Sequence, residues 1–265
     1  MKILERITDV ARPQVRNVVR SKWLICYLLF FLAATEGLVR FSGDDAKTLL
    51  SISNVVLFVV PLMTLVYGTI YLYTSREFIE LLLAQPLKRR AVFAGLYIGL
   101  ALPLAAAFIA GVSLPFVIHG LDPLARGALI TMLVGGTALT LIFTGIAFCV
   151  ALRFDDRLTG LGVGLAVWLL LAIVYDGAML LLVAMTSGHA LEKSLVAASI
   201  ANPIDLIRIA LLMQFDAAAL MGYTGAVFTQ FFSSASGMAI IAAAVIMWIG
   251  LPLTAGFISF DRKNF

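Results

Sequence analysis

Six stretches of this 265-residue chain hold no Lys or Arg: 23–39, 49–73, 91–118, 127–152, 158–185 and 237–258. Each runs 17 to 28 residues and is built mostly of Leu, Ala, Val, Ile, Phe and Gly. About 20 apolar residues of helix cross the hydrocarbon core of a bilayer. A peptide in lipid must satisfy its own N–H and C=O groups, so the expected fold is all-α integral membrane. Residues 1–265 then form a single transmembrane domain of six transmembrane helices. The sustained polar–apolar alternation of a membrane β-barrel is absent. The chain is 62% apolar and 13% charged, whereas soluble chains are roughly 45–50% apolar and 25% charged. That excludes a soluble enzyme, a disordered chain and a disulfide scaffold.

Basic residues set the orientation. Fourteen of the 19 fall in segments 1–22, 74–90, 153–157 and 259–265, which total 51 residues. Only five fall in 40–48, 119–126 and 186–236, which total 68. Lys and Arg accumulate on the cytoplasmic side, so both termini are expected to be cytoplasmic. The net charge of +4 restates this bias and gives no reason to expect nucleic acid. No small-residue cleavage pattern follows Glu36-Gly37, so the first span is expected to stay as an anchor. Cys26 and Cys149 lie in different spans and read as small buried groups rather than a paired thiol site.

Three segments outside the spans carry pattern. Residues 2–20 interleave Ile3, Ile7, Val10, Val18 and Val19 with Arg6, Arg12, Arg16 and Arg20. That spacing predicts an N-terminal interfacial helix on anionic headgroups, interrupted at Pro13; a solvated basic tail is the alternative. In the second inside loop, Thr74 and Glu77 have capping-box spacing. They predict a short helix with Phe78, Leu81 and Leu82 on one face and Arg76, Glu77 and Glu80 around it. Pro86 should end it, and Lys88-Arg89-Arg90 return the chain to the membrane. A helix of about ten residues is marginal alone in water, so it is expected to dock something, unless the segment is a plain loop. The segment 186–236 is too long for a turn. Asn202-Pro203 with Asp205 predicts a helix start. The apolar residues 203–213 are half a span long, which suggests a re-entrant or interfacial helix with Asp205 and Arg208 paired. Gly222-Tyr223-Thr224-Gly225 then breaks the chain before an apolar patch, 226–232. Short helices thus cap the outer face between spans five and six.

Groups that do chemistry are scarce. No Gly-Lys pair exists, so there is no phosphate loop. His119 and His189 both fall in outer loops, and Ser51, Ser53 and Ser113 have no intramembrane His to activate them. Asp155-Asp156, between Arg153 and Arg157, reads as a solvated turn. Met179, Met185, Met213 and Met221 could serve Cu(I), yet they form no close cluster and suit core filling. No catalytic, cofactor or metal residue is expected. Of the two intramembrane acids, Glu36 can reach headgroups. Asp176 is deeper, where a charge costs roughly 2.5–3.5 kcal/mol. It is expected to be protonated, to pair with a hydroxyl, to bond between helices or subunits, or to line a transport path.

Arg76–Arg90 resembles the inner loop of ABC-2-type permeases, the membrane subunits of ABC transporters. Glu80-Leu81-Leu82-Leu83-Ala84-Gln85-Pro86-Leu87-Lys88-Arg89-Arg90 and Gly95-Leu96-Tyr97-Ile98-Gly99 are similar to the Nos-type permeases of nitrous oxide reductase maturation. So are Val174-Tyr175-Asp176-Gly177, Asn202 to Arg208, and Gly222 to Phe228. Phe78-Ile79 stands where the wider family often has Gly-Thr, so the likeness is to the subfamily. It implies a homodimer in the bacterial inner membrane, with two cytoplasmic ABC ATPase subunits that bind ATP and Mg. Arg76, Glu77, Phe78, Glu80, Leu81 and Leu82 would then form the ATPase-coupling helix. It further implies a periplasmic β-helical partner, for which Asn202, Asp205 and Arg208 are candidate contacts. The implied role is assembly of the reductase copper centres, by moving a sulfur species or copper, or by transmitting force. A generic ABC-2 exporter, a secondary transporter with internal repeats and an intramembrane enzyme are the competing classes.

Reporter fusions test the topology: fusions at residue 45 and within 186–236 should report periplasm, and fusions at 82 and 265 cytoplasm. A periplasmic reading at 265 removes the six-span arrangement.

Overall fold

The computed structural model describes residues 3–85, 87–185, 197–214 and 235–263, and every regular element among them is helical. Six helices are long and apolar enough to cross a membrane: Lys22–Ser42, Asp45–Thr74, Arg89–His119, Pro123–Arg153, Arg157–Leu181 and Gly237–Arg262. They match the six apolar blocks and mostly overshoot them, because capping residues sit outside the oily stretch. Ser21, Asp44 and Asp156 accept hydrogen bonds from the N–H groups of Trp23 (3.3 Å), Ala46 (2.9 Å) and Thr159 (2.7 Å). Such caps satisfy donors the helix leaves free at its start.

The third and fourth spans form the interior. Phe108 and Phe116 on one, and Phe143 and Phe148 on the other, are fully enclosed. Phe31 of the first span meets Phe108 edge-on, with ring centroids 5.4 Å apart. Gly136 makes room for the Phe108 ring, since a Cβ there would stand 2.3 Å from its Cζ. The first, fifth and sixth spans instead show much apolar surface outward, including Leu29, Leu169 and Ile246.

At the end of the bundle holding Arg89, Arg153 and Arg262, the N-terminal helix Ile3–Val19 docks against the third span. Val10, Ala11, Gln14 and Val18 are its buried face. Val10 lies over Gly95 and Gln14 over Gly99, where added Cβ atoms would stand 2.6 and 2.5 Å from the helix side chains. Two glycines four apart let helices approach this closely. Tyr71 of the second span donates to Gln14 Oε1 at 2.6 Å. One expectation is corrected. Pro13 lies inside a continuous helix, because it is on the exposed face, where water can take the carbonyl it leaves unbonded. Val19 is 51% exposed and does not join the docked face.

The fifth span runs as α-helix from Arg157 to Leu169, opens into a π turn at Leu170–Val174, and continues at Tyr175–Met185. A wide turn loosens the ladder of backbone bonds. Asn202 fills the gap: its Nδ2 donates to Leu171 O at 2.8 Å, while its Oδ1 accepts from Ile204 N at 3.0 Å. The predicted helix start is therefore present, heading Pro203–Leu212. Leu171 is about 21 Å along its span from Arg157 at 1.5 Å per residue, so Asn202 is deep. From there the helix passes Gly135 at Ile207 and ends with Gln214 beside Gly127, near the start of the fourth span. Pro86, Met221, His189, residues 222–225 and the patch 226–232 lie outside the described residues, as do the side chains of Ile3, Arg6 and Met185.

The docking of the N-terminal helix on glycine sets a test. Gly95→Leu should destabilise by about 1–3 kcal/mol, the usual range for overpacking, seen as a lower midpoint of thermal unfolding in detergent. Gly162→Ala, with open space around it, should leave that midpoint unchanged.

Candidate functional site

The predicted inner helix is present at Arg76–Leu83. Its start differs from the capping box. Thr74 is the last residue of the second span and its hydroxyl donates to Ile70 O at 2.9 Å. Ser75 takes the cap position with no side-chain bond, so one residue turns the chain from span to helix. The facing is corrected too. Ile79 is the fully buried residue, and Leu82 and Leu83 pack partly against the core beside it. Phe78 is half-buried and Leu81 is 68% exposed. The free face therefore carries Glu77, Glu80 and Leu81, with Phe78 at its edge. The spacing Ile79, Leu82, Leu83 was readable as i, i+3, i+4.

An ion-pair network anchors the root of this helix. Arg76 stacks its guanidinium 4.8 Å from the Tyr73 ring centroid and donates to Phe154 O and Asp155 Oδ1, each at 3.4 Å. Tyr73 donates to Phe154 O at 2.7 Å and Asp156 O at 3.2 Å. Lys263, just past the sixth span, places Nζ 2.8 Å from Asp155 Oδ1 and 2.8 Å from Leu152 O. Arg89 donates to the carbonyls of Phe260, Asp261 and Lys263 at 3.3, 3.0 and 2.9 Å. Those are acceptors a helix leaves free at its end. Asp155 and Asp156 are thus more than a solvated turn. Asp156 caps the fifth span through Thr159 N and Oγ1 (2.7 and 2.6 Å). Asp155 joins this helix to the end of the sixth span. Lys263 first, and Arg76 less, hold the Asp155 carboxyl below the usual carboxylate range. A depressed acid stays ionised above its folded-state value, so the network persists at neutral pH and is lost only as pH falls through that value.

The other polar groups lie deeper or at the far end. Arg208 places a guanidinium nitrogen 2.7 Å from Asp176 Oδ1 and 3.3 Å from Asp205 Oδ1. The Asp205–Arg208 pair was expected; the cation opposite Asp176 was not, since 32 residues separate them. Asp176 is therefore ion-paired across helices rather than bonded to a hydroxyl. Asn202 is fully buried and Asp205 is 7% exposed. The outer-face contact expected of Asn202 and Asp205 does not fit this burial, which seats the half-length helix instead. Glu36 meets Arg40 Nε at 2.6 Å and His119 Nε2 at 3.0 Å. Cys149 donates to Pro252 O at 3.0 Å. Among the described residues no three His, Cys, Asp or Glu side chains stand together as a metal site.

Six spans, a helix hung on the inner loop between the second and third, and a half-length helix before the sixth define a permease-type membrane subunit. The family profile described as ABC-2 family transporter protein matches residues 9–265, and the chain belongs to that family. It is 29% identical, over 94% of each chain, to a protein of Pseudomonas aeruginosa (strain PAO1) named "Probable ABC transporter permease protein NosY". A Stutzerimonas stutzeri protein of the same name is 23% identical over 98% of this chain and 99% of its own length.

The Arg208 cluster predicts an order of damage. Arg208→Leu strands two carboxylates and should lower the unfolding midpoint most. Asp176→Leu, which leaves Arg208 with Asp205 alone, should lower it less, and Asp176→Asn, which keeps an acceptor, least. Equal midpoints for Asp176→Asn and Arg208→Leu, measured in the same detergent, would contradict this assignment.

Proposed function

We propose that this ABC-2 permease couples a separate cytoplasmic ATPase to events on its outer face through the helix Arg76–Leu83. The observation that carries the reading is the division of that short helix. Ile79 is locked into the bundle, while Glu77, Glu80 and Leu81 stand free at the basic end. ATP and Mg belong to the ATPase chain, and this subunit contributes no catalytic group. Leu81 with the edge of Phe78 supplies an apolar anchor, and the two glutamates give register at its rim. A push on the helix passes through Ser75 into the second span. By way of Arg76 and Asp155 it also reaches the junction of spans four and five and the end of span six.

The basic bias supports placing both termini in the cytoplasm of a bacterial inner membrane. A homodimer follows from one coupling helix per chain facing two ATPase subunits. The names of the two relatives, with the strings Gly95 to Gly99 and Asn202 to Arg208, support a role in nitrous oxide reductase maturation. In that role a periplasmic β-helical partner sits on the outer face and the complex serves copper-centre assembly. A generic ABC-2 exporter is the second reading; the half-length helix suits either.

The test co-expresses this chain with an ABC ATPase subunit that co-purifies with it. Leu81→Asp, and Glu77→Lys with Glu80→Lys, should keep the wild-type unfolding midpoint and lose ATPase co-purification. Loss of one anchoring side chain weakens docking by about 2 kcal/mol, or roughly 30-fold. Asp155→Asn should keep the ATPase bound but loosen the link between hydrolysis and reductase maturation. Wild-type association, hydrolysis and maturation in all three variants would remove this helix from the mechanism.

A further inference from the structure

Seen down its axis, the N-terminal helix Ile3–Val19 meets four environments in order. Val10, Ala11, Gln14 and Val18 face the bundle and fix its rotation. At 100° per residue the next sector holds Val15 and Val19, the latter 51% exposed. Then come Arg12, Arg16 and Arg20, spaced four apart on one stripe, followed by Pro13 and Asn17. Arg20 continues the helical geometry, since its N–H donates to Arg16 O at 3.3 Å. Protein, apolar, cationic, polar is the order that an element lying along a bilayer surface passes through. At the end of the stripe Ser21 starts the first span, with Lys22 and then Trp23, which is 51% exposed. Trp is enriched at that depth, at the level of the headgroups.

The three guanidinium groups have no ion-pair partner among the described residues. Asp9 is the one described acid on the same face, so the face keeps a positive balance. Arg12, Pro13, Arg16, Asn17 and Arg20 outline an open concavity of about 550 Å³. Planar guanidinium forks on such a stripe match phosphate oxygens two at a time.

We propose that Arg12, Arg16 and Arg20 form a binding surface for the phosphates of anionic phospholipids, in the leaflet into which the Val15–Val19 edge dips. The helix is seated on Gly95 and Gly99, so bound lipid fixes the depth of that end of the third span. The surface is separate from the coupling helix and does not depend on the proposed function.

The experiment uses the full-length purified chain in detergent, titrated with phosphatidylglycerol or phosphatidylcholine. Lipid retention is read by native mass spectrometry and the unfolding midpoint by heating. Wild type should retain phosphatidylglycerol preferentially, gain midpoint from it, and lose the preference at high salt. Each Arg→Gln change should weaken apparent phosphatidylglycerol affinity about fivefold. The triple variant R12Q/R16Q/R20Q should match phosphatidylcholine behaviour, with its lipid-free midpoint unchanged. Arg16→Gln alone gives an intermediate reading if the triple variant folds poorly. Equal retention of both lipids by wild type, or full preference in the variants, overturns the proposal. So does a variant set that keeps the lipid preference and loses the ATPase, which would make the stripe a protein-docking face.

Discussion

Hydrocarbon offers no partner to a peptide N–H or C=O, and nearly every feature of this protein answers that constraint. The backbone coils into helices, and the departures from plain α-helix each come with a local acceptor or donor. The π turn of the fifth span is met by the Asn202 amide. The last carbonyls of the sixth span are met by Arg89. Pro13 and Thr74, one lacking a donor and one carrying an extra hydroxyl, are placed where water or the preceding turn absorbs the difference.

The same constraint explains what could be read without coordinates. Span positions are encoded in runs of residue type, and the six blocks match the six helices. The half-length helix after Asn202 was legible because capping is local chemistry. Pairings between distant positions were not. Nothing near Asp176 announces Arg208, and nothing near Asp155 announces Lys263, because each pair is assembled by helices that meet only in the fold. The buried Gln14 was missed for the same reason. Its partner, Tyr71, is 57 residues away, and an amide among arginines looks like surface. Pro13 misled because a rule about helix interiors depends on which face the ring occupies.

Polar chemistry is therefore sorted by depth. Near the middle are few charged groups, and Asp176, Asp205 and Arg208 stand together there, two carboxylates on one guanidinium. At the basic end the ions meet at the solvent edge, with Asp155 exposed and Arg76 and Lys263 half-buried, and connect separate elements: the inner helix, an interspan turn and the last helix end. Exposed pairs contribute little to folding stability. Their value here is geometric, since they determine which elements move together when the inner helix is displaced.

The π turn at Leu170–Val174 also sets a phase. It holds one more residue per turn than the helix around it, so everything beyond is rotated relative to an unbroken helix by about 100°. Asp176 faces Arg208 only with that turn open. Deleting one residue from it would absorb the bulge and keep the phase, whereas closing it to ordinary α-helix with all its residues kept would swing Tyr175–Met185 round by that angle. The acid would then point away from its cation, with every amino acid of the pair unchanged. The ion pair is thus specified as much by the width of one turn as by residue type.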